Sequence, residues 1–233
     1  MLELINFSKS YGNKLAVDKL SFKVDKGDIC AFVGPNGSGK TTTLKSICGV
    51  LEFDSGEILI DKLSIKTNPL DCKKIMAYLP DNPDLYEFLK GIDYLNFISD
   101  IYEIENRKEL IKKYSDMFEL TGFLGNTINT YSHGMKQKLA IISALIRKPK
   151  LLLLDEPFVG LDPVSSHQLK EVMKDLVKDG TAILFSTHVL EVAEKLCNKV
   201  VVIKKGKLVV FDSMQKVLKN KSLEDLFMEK VHE

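Results

Sequence analysis

Tryptophan is absent from the 233 residues, proline occurs only seven times, and no Pro-, Gly- or Ser-rich linker, repeat or low-complexity tract divides the chain. That continuity argues against a string of small modules and for one large α/β domain or two modest ones. Neither sign of charge prevails: 33 Lys and Arg against 32 Asp and Glu leave a net of +1. A whole-chain electrostatic grip on nucleic acid is thereby excluded, although a local basic patch is not. No apolar run approaches the roughly 18 residues that a bilayer span requires. The start, Met1-Leu-Glu-Leu-Ile-Asn-Phe, lacks the charged and apolar regions of a signal peptide. The four cysteines (Cys30, Cys48, Cys72, Cys197) are far apart and form no C-x-x-C pair, which removes the usual zinc and redox motifs. Reduced thiols in a soluble intracellular protein are the expectation.

What is present is patterned. Leu2 and Leu4, then Leu20, Phe22 and Val24, alternate with polar residues, as half-exposed antiparallel strands do. Short continuous apolar runs follow at Ile29–Val33, Leu151–Leu154, Ala182–Phe185 and Val200–Ile203; such runs suit strands buried on both faces of a mainly parallel sheet. Leu169, Val172, Met173, Leu176 and Val177 repeat with helical spacing, and Gly180 offers a stop. From about Asp84 to Arg147 no buried strand is readable and amphipathic helices dominate. That stretch is too long for one crossover helix and predicts a helical subdomain inserted between two strands.

Gly34-Pro-Asn36-Gly37-Ser38-Gly39-Lys40-Thr41 satisfies G-x-x-x-x-G-K-[ST]. It follows a buried strand and precedes a helical pattern at Leu44, Ile47, Cys48 and Leu51. Glycines let backbone amides turn around phosphate oxygens at the positive end of the helix. Lys40 would reach the β and γ phosphates, and the Thr41 hydroxyl would ligate Mg²⁺. A second greasy strand ends in Asp155 and Glu156. Asp155 can hold Mg²⁺ through its waters; Glu156, expected on the other strand face, can polarise an attacking water. His188 stands just beyond a third buried strand, at the same expected edge, where it can bond the γ phosphate.

This set, in this order over roughly residues 2–215, resembles the ATP-binding subunit of ATP-binding cassette (ABC) transporters. Gly34–Thr41 is similar to that family's Walker A, Leu151–Asp155 with Glu156 to its Walker B and catalytic glutamate, Gly160-Leu161-Asp162 to its D-loop, and His188 to its switch histidine. Tyr11 matches the aromatic that stacks on adenine, and Val17 and Thr42 join the nucleotide set. Tyr131-Ser132-His133-Gly134-Met135 stands where the family carries L-S-G-G-Q. Ser132 and Gly134 are kept, while Tyr131, His133 and Met135 depart from the pattern. Asp81 occupies the place of a glutamine that contacts Mg²⁺ and the attacking water. The resemblance implies an α/β P-loop NTPase core of mainly parallel sheet with N-terminal antiparallel strands. The whole of 1–233 would form one domain: a RecA-like core over about 1–81 and 149–210, a helical subdomain over about 82–148, and short C-terminal helices over about 211–233.

The family works as a pair, with the signature of one protomer facing the phosphate loop of the other. The implied function is therefore an ATPase, using ATP and Mg²⁺, that dimerises on ATP and opens on hydrolysis. Its partners would be a second copy or a paralogous ATPase and separate transmembrane permease subunits, with no nucleic acid, at the cytoplasmic face of the membrane. Tyr78–Tyr86 resembles the exporter-type branch that includes drug, peptide and antibiotic-resistance systems. Docking is expected around Pro83–Tyr94, within a stretch from Asp84 to Glu119 that carries nine acids against five bases. A soluble ABC ATPase of cofactor assembly and an ATP-binding interaction module are the alternatives.

Overall fold

The computed structural model describes residues 1–219 and 221–232; the last residue of the expected C-terminal segment, like residue 220, lies outside the described residues. In chain order the elements are β1 (Leu2–Tyr11), β2 (Lys14–Val24), β3 (Ile29–Val33), α1 (Lys40–Ile47), β4 (Ser55–Ile60), β5 (Leu63–Ser64), α2 (Pro69–Ile75) and β6 (Met76–Leu79). Three helices follow, α3 (Gly91–Ile101), α4 (Arg107–Met117) and α5 (His133–Leu145). The chain then alternates through β7 (Leu151–Asp155), α6 (Pro163–Lys178), β8 (Ala182–Thr187), α7 (Leu190–Leu196), β9 (Lys199–Lys204) and β10 (Lys207–Ser213), and closes on α8 (Met214–Val217) and α9 (Leu223–His232).

Two sheets result. One is antiparallel, in the order β2-β1-β4-β5; the other runs β10-β9-β3-β8-β7-β6. In the second, every pairing is parallel except β9 with β10. Strand alternation explains why the central runs are apolar throughout. Ile29, Ala31, Val33, Leu152 and Leu154 face a core shared with the inserted helices (Leu95, Phe118, Leu139) and α6. Cys30, Phe32, Leu151 and Leu153 face a second core with α1 (Leu44, Ile47) and the antiparallel sheet (Leu4, Phe7, Ile58). A strand with an apolar partner on each side has no position left for a polar residue.

Sequence signals set the helix boundaries that matter. Ser132 caps α5, its hydroxyl accepting from the Met135 amide at 3.3 Å. Asp162 caps α6 by accepting from the Ser165 amide at 2.8 Å, and Pro163 stands at the first turn. β10 runs to Ser213, and the C-terminal helices, expected from about residue 211, begin at Met214. This strand lies at the sheet edge with no residue fully buried, although its Leu208–Phe211 is a continuous apolar run. The four cysteines are free and buried. Among the described residues no helix is long and apolar enough to cross a membrane.

Candidate functional site

Parallel pairing brings the C-terminal ends of β3, β6, β7 and β8 to one edge of the sheet, where open α/β sheets bind ligands. A cleft of about 460 Å³ opens there, lined by Tyr11, Asn36, Gly37, Gly39, Lys40, Thr41, Thr42, Asp81, Asp155 and Glu156, and by Lys14, Leu15, Ala16 and Lys205. That volume lies in the range of small-molecule sites, about 300–1,000 Å³.

The loop from Gly34 to Gly39 delivers Lys40 into the mouth of the cleft. Gly39 has φ +107, and a Cβ there would stand 2.8 Å from the Ala16 carbonyl oxygen, so no larger residue fits this turn. Beyond it α1 begins without a capping side chain and with no acidic residue in its first turn, which leaves orphan amides for an anion. The Lys40 ammonium donates to the carbonyls of Gly34 at 2.7 Å and Pro35 at 3.4 Å. Burial pulls its pKa below the ordinary lysine value, while Glu156 and Asp155 oppose that shift. An anion in the loop would give this ammonium a stronger partner than two carbonyls.

At the end of β7, Asp155 is 2% exposed. Its Oδ1 accepts from the Ser186 hydroxyl at 2.5 Å, whereas its Oδ2 is buried with no hydrogen-bond partner. Such an oxygen fits a cation or its water shell. No three His, Cys, Asp or Glu side chains among the described residues are grouped to hold a metal alone. Mg²⁺ asks for less, being held by one or two carboxylates together with substrate phosphates. Thr41 and Asp81 line the same cleft.

Strand alternation is not what aims Glu156. The strand stops at Asp155, and Glu156 turns left-handed at φ 48, a sparsely populated conformation for a non-glycine residue. Its amide donates to the Ser186 hydroxyl at 2.9 Å, and its Oε2 lies 3.0 Å from the Nδ1 of His188. His188 follows β8 and is largely exposed. Ser186, which no motif announced, thus holds both acidic residues: β7–β8 pairing sets it opposite Asp155.

His188 is not among the residues that line the cleft, and neither are Val17 and Ser38. Val17 is fully buried in the core behind the loop, and Leu15 and Ala16 line the opening in its place. The Ser38 side chain is also buried, its hydroxyl unpartnered; its amide closes the loop on the Pro35 carbonyl. Tyr11 stands half exposed at the end of β1, with the Lys9 ammonium 5.5 Å from its ring centroid.

Ser132 and Gly134 do not line this cleft either. They lie at the start of α5, against the turn that follows Glu156. A Cβ on Gly134 would stand 2.8 Å from the Gly160 carbonyl oxygen, and one on Gly160 would strike the His133 ring 2.6 Å from Cδ2. The Lys138 ammonium, 2.8 Å from Asp162, and two bonds from Ser165 hold the Asp162 carboxyl well below the usual range. The departures from L-S-G-G-Q therefore have local partners. Tyr131 is buried and donates its hydroxyl to the Phe123 carbonyl at 2.8 Å, and His133 covers the bare backbone of Gly160.

Known proteins resemble this chain in sequence and in fold. Residues 17–159 match the family model described as ABC transporter. The linearmycin resistance ATP-binding protein LnrL of Bacillus subtilis is 34% identical over 212 residues, covering 90% of this chain and 68% of the relative. A solved ATP-binding subunit of an ABC transporter superposes with a TM-score of 0.93 at 33% identity, covering 98% of both chains. A bacterial ABC transporter cassette solved as a dimer, MJ0796, superposes with a TM-score of 0.83 at 25% identity, covering 92% of this chain and 99% of that one. The chain belongs to the ABC transporter family, as one of its ATP-binding, ATP-hydrolysing subunits.

Proposed function

We propose that this chain energises an exporter with separate membrane subunits, closing as a dimer on two ATP molecules and opening after hydrolysis. The observation that carries the reading is the convergence on one cleft of a buried ammonium, an unpartnered carboxylate oxygen and a left-handed glutamate. In this reading Tyr11 carries the base, the loop amides and Lys40 hold the β and γ phosphates, and Thr42 lies beside them. Mg²⁺ on Asp155, Thr41 and Asp81 would neutralise developing charge on the phosphates. Glu156 polarises the attacking water, and His188, already bonded to Glu156, takes the γ phosphate.

Ser132 and Gly134 are accessible on a separate face, which suits a role in the site of a facing protomer, capping its γ phosphate with hydroxyl and helix-terminal amides. The resistance-type relative favours the exporter branch and a position at the cytoplasmic membrane face. For the permease, a depression lined by Asp84, Leu85, Tyr86, Tyr94, Phe97 and Ile101 offers exposed aromatic rings beside an acidic surface. Glu156→Gln tests the core of the reading. Removing a positioned base costs about 10²–10⁴ in rate, so hydrolysis should fall near background while an ATP-bound dimer accumulates in size-exclusion chromatography with light scattering. Hydrolysis at the wild-type rate would remove Glu156 from the catalytic role.

A further inference from the structure

Two cations in the nucleotide cleft have no task in that reading. Lys14 and Lys205 line it together with Lys40, and neither has an ion-pair partner among the described residues. Their backbone settings are specific. Lys14 pairs directly with Tyr11 across the β1–β2 hairpin. Paired residues of antiparallel strands project to one face, so the lysine stem stands beside the tyrosine ring.

Lys205 arrives from the other end of the chain, in the β9–β10 turn, with φ 47. That left-handed setting is sparsely populated for a side-chain-bearing residue, and the neighbouring residue fixes it. The Gly206 amide donates to the Ser38 carbonyl at 3.0 Å, and the Gly206 carbonyl accepts from the Asp18 amide at 2.9 Å. Ala16 is clasped between the loop and this turn: a Cβ on Gly39 or on Gly206 would approach its carbonyl oxygen to 2.8 or 2.5 Å. The turn is therefore bonded to the phosphate loop itself, and Lys205 lines the same cleft as Lys40.

A nucleotide with its base at Tyr11 and its terminal phosphates at Lys40 must lay its ribose and α-phosphate along the stretch between them. An ammonium can only donate, and the α-phosphate is the anion on that stretch. We propose that Lys14 and Lys205 form a second cationic contact directed at the α-phosphate, so that the site grips the nucleoside monophosphate portion independently of Lys40. The inference rests on the nucleotide reading above. It implies firm retention of the diphosphate product.

Calorimetric binding of ATP, ADP, AMP and adenosine to the full chain tests it, with Lys14→Gln/Lys205→Gln and Lys40→Ala as variants. The double variant should weaken ATP, ADP and AMP alike, by about five- to ten-fold for charged contacts at a partly exposed site, and leave adenosine unchanged. Lys40→Ala should weaken ATP and ADP and spare AMP. Lys205→Arg, which keeps the charge under the same backbone constraint, should bind AMP as the wild type does. Equal AMP binding by wild type and double variant overturns the proposal. So does a loss for adenosine as large as that for AMP, or no AMP binding to the wild type at millimolar concentration. If ATP itself fails to bind the wild type, the nucleotide reading falls, and the inference with it.

Discussion

Ser186→Ala removes one hydroxyl from the centre of the site and should be felt in both stability and metal dependence. In the wild type this oxygen donates to Asp155 Oδ1 at 2.5 Å and accepts from the Glu156 amide at 2.9 Å. Ser186 is fully buried and Asp155 is 2% exposed, so bulk water is a poor substitute. With Oδ2 already unpartnered, the variant leaves the carboxylate with no hydrogen-bond donor among the described residues. A hydrogen bond to a charged group contributes about 1.5–3 kcal/mol, and an amide left unsatisfied costs about 1–3 kcal/mol. Local relaxation recovers part of the sum, which sets the expected loss at about 2–4 kcal/mol. For a chain of this size each kcal/mol shifts Tm by about 2–4 °C, which predicts a drop of roughly 4–16 °C.

The second consequence separates a structural prop from a residue that positions Asp155. The Ser186 bond fixes the carboxylate so that its free oxygen stays available, as outer partners fix metal ligands. Losing such a partner typically costs about 10–100-fold in metal affinity. The Mg²⁺ concentration that supports half-maximal nucleotide binding, followed with a fluorescent ATP analogue, should rise by about ten-fold or more. An unchanged Tm together with an unchanged Mg²⁺ midpoint would refute the reasoning. A lowered Tm with the wild-type midpoint would refute the positioning role alone.

Three further outcomes are expected. Asp81→Ala should lower turnover more than ATP affinity, because the loop amides and Lys40 carry most of the binding, and Asp81→Gln should be tolerated; unchanged steady-state hydrolysis in Asp81→Ala removes it from the site. Mixing Ser132→Arg protein with Lys40→Ala protein, each defective alone, should restore part of the ATPase activity through the one intact site of the mixed dimer; no recovery with mixed dimers shown to form counts against facing protomers. Gly160→Ala should destabilise the turn after Glu156, since φ is +79 and the new Cβ would meet the His133 ring at 2.6 Å. His133→Gly should relieve the collision and leave only the backbone strain, a coupling of about 1 kcal/mol in a double-mutant thermal unfolding cycle; additive effects would show that the two do not interact.

What could be read in advance divides along a physical line. Ile29–Val33 and Leu151–Leu154 were legible as strands because apolar cores on both faces admit no polar residue. The phosphate loop was legible because its backbone path and its lysine are local properties of eight consecutive residues. β4 begins with three exposed residues, so its burial pattern imposes no readable period, and the apolar run Leu208–Phe211 of β10 lies at an edge where no residue is fully buried. Glu156 offered no sign of its left-handed backbone, since the usual signal is glycine and its support comes from Ser186, thirty residues away.

The same distinction explains why a sequence motif marks Lys40 and none marks Lys205. Lys40 is placed by the helix it begins, six residues from the carbonyl it touches. Lys205 reaches the cleft through a backbone bond between Gly206 and Ser38, segments that become neighbours only when β9 pairs beside β3. Sequence motifs capture groups that one stretch of backbone aims by itself. Ser186 and Lys205 are aimed by pairing between distant strands, so their positions follow from topology and register. The residues that hold the acidic pair and extend the cleft are consequently of that second kind, and variants at these two positions test whether the sheet contributes chemistry or only support.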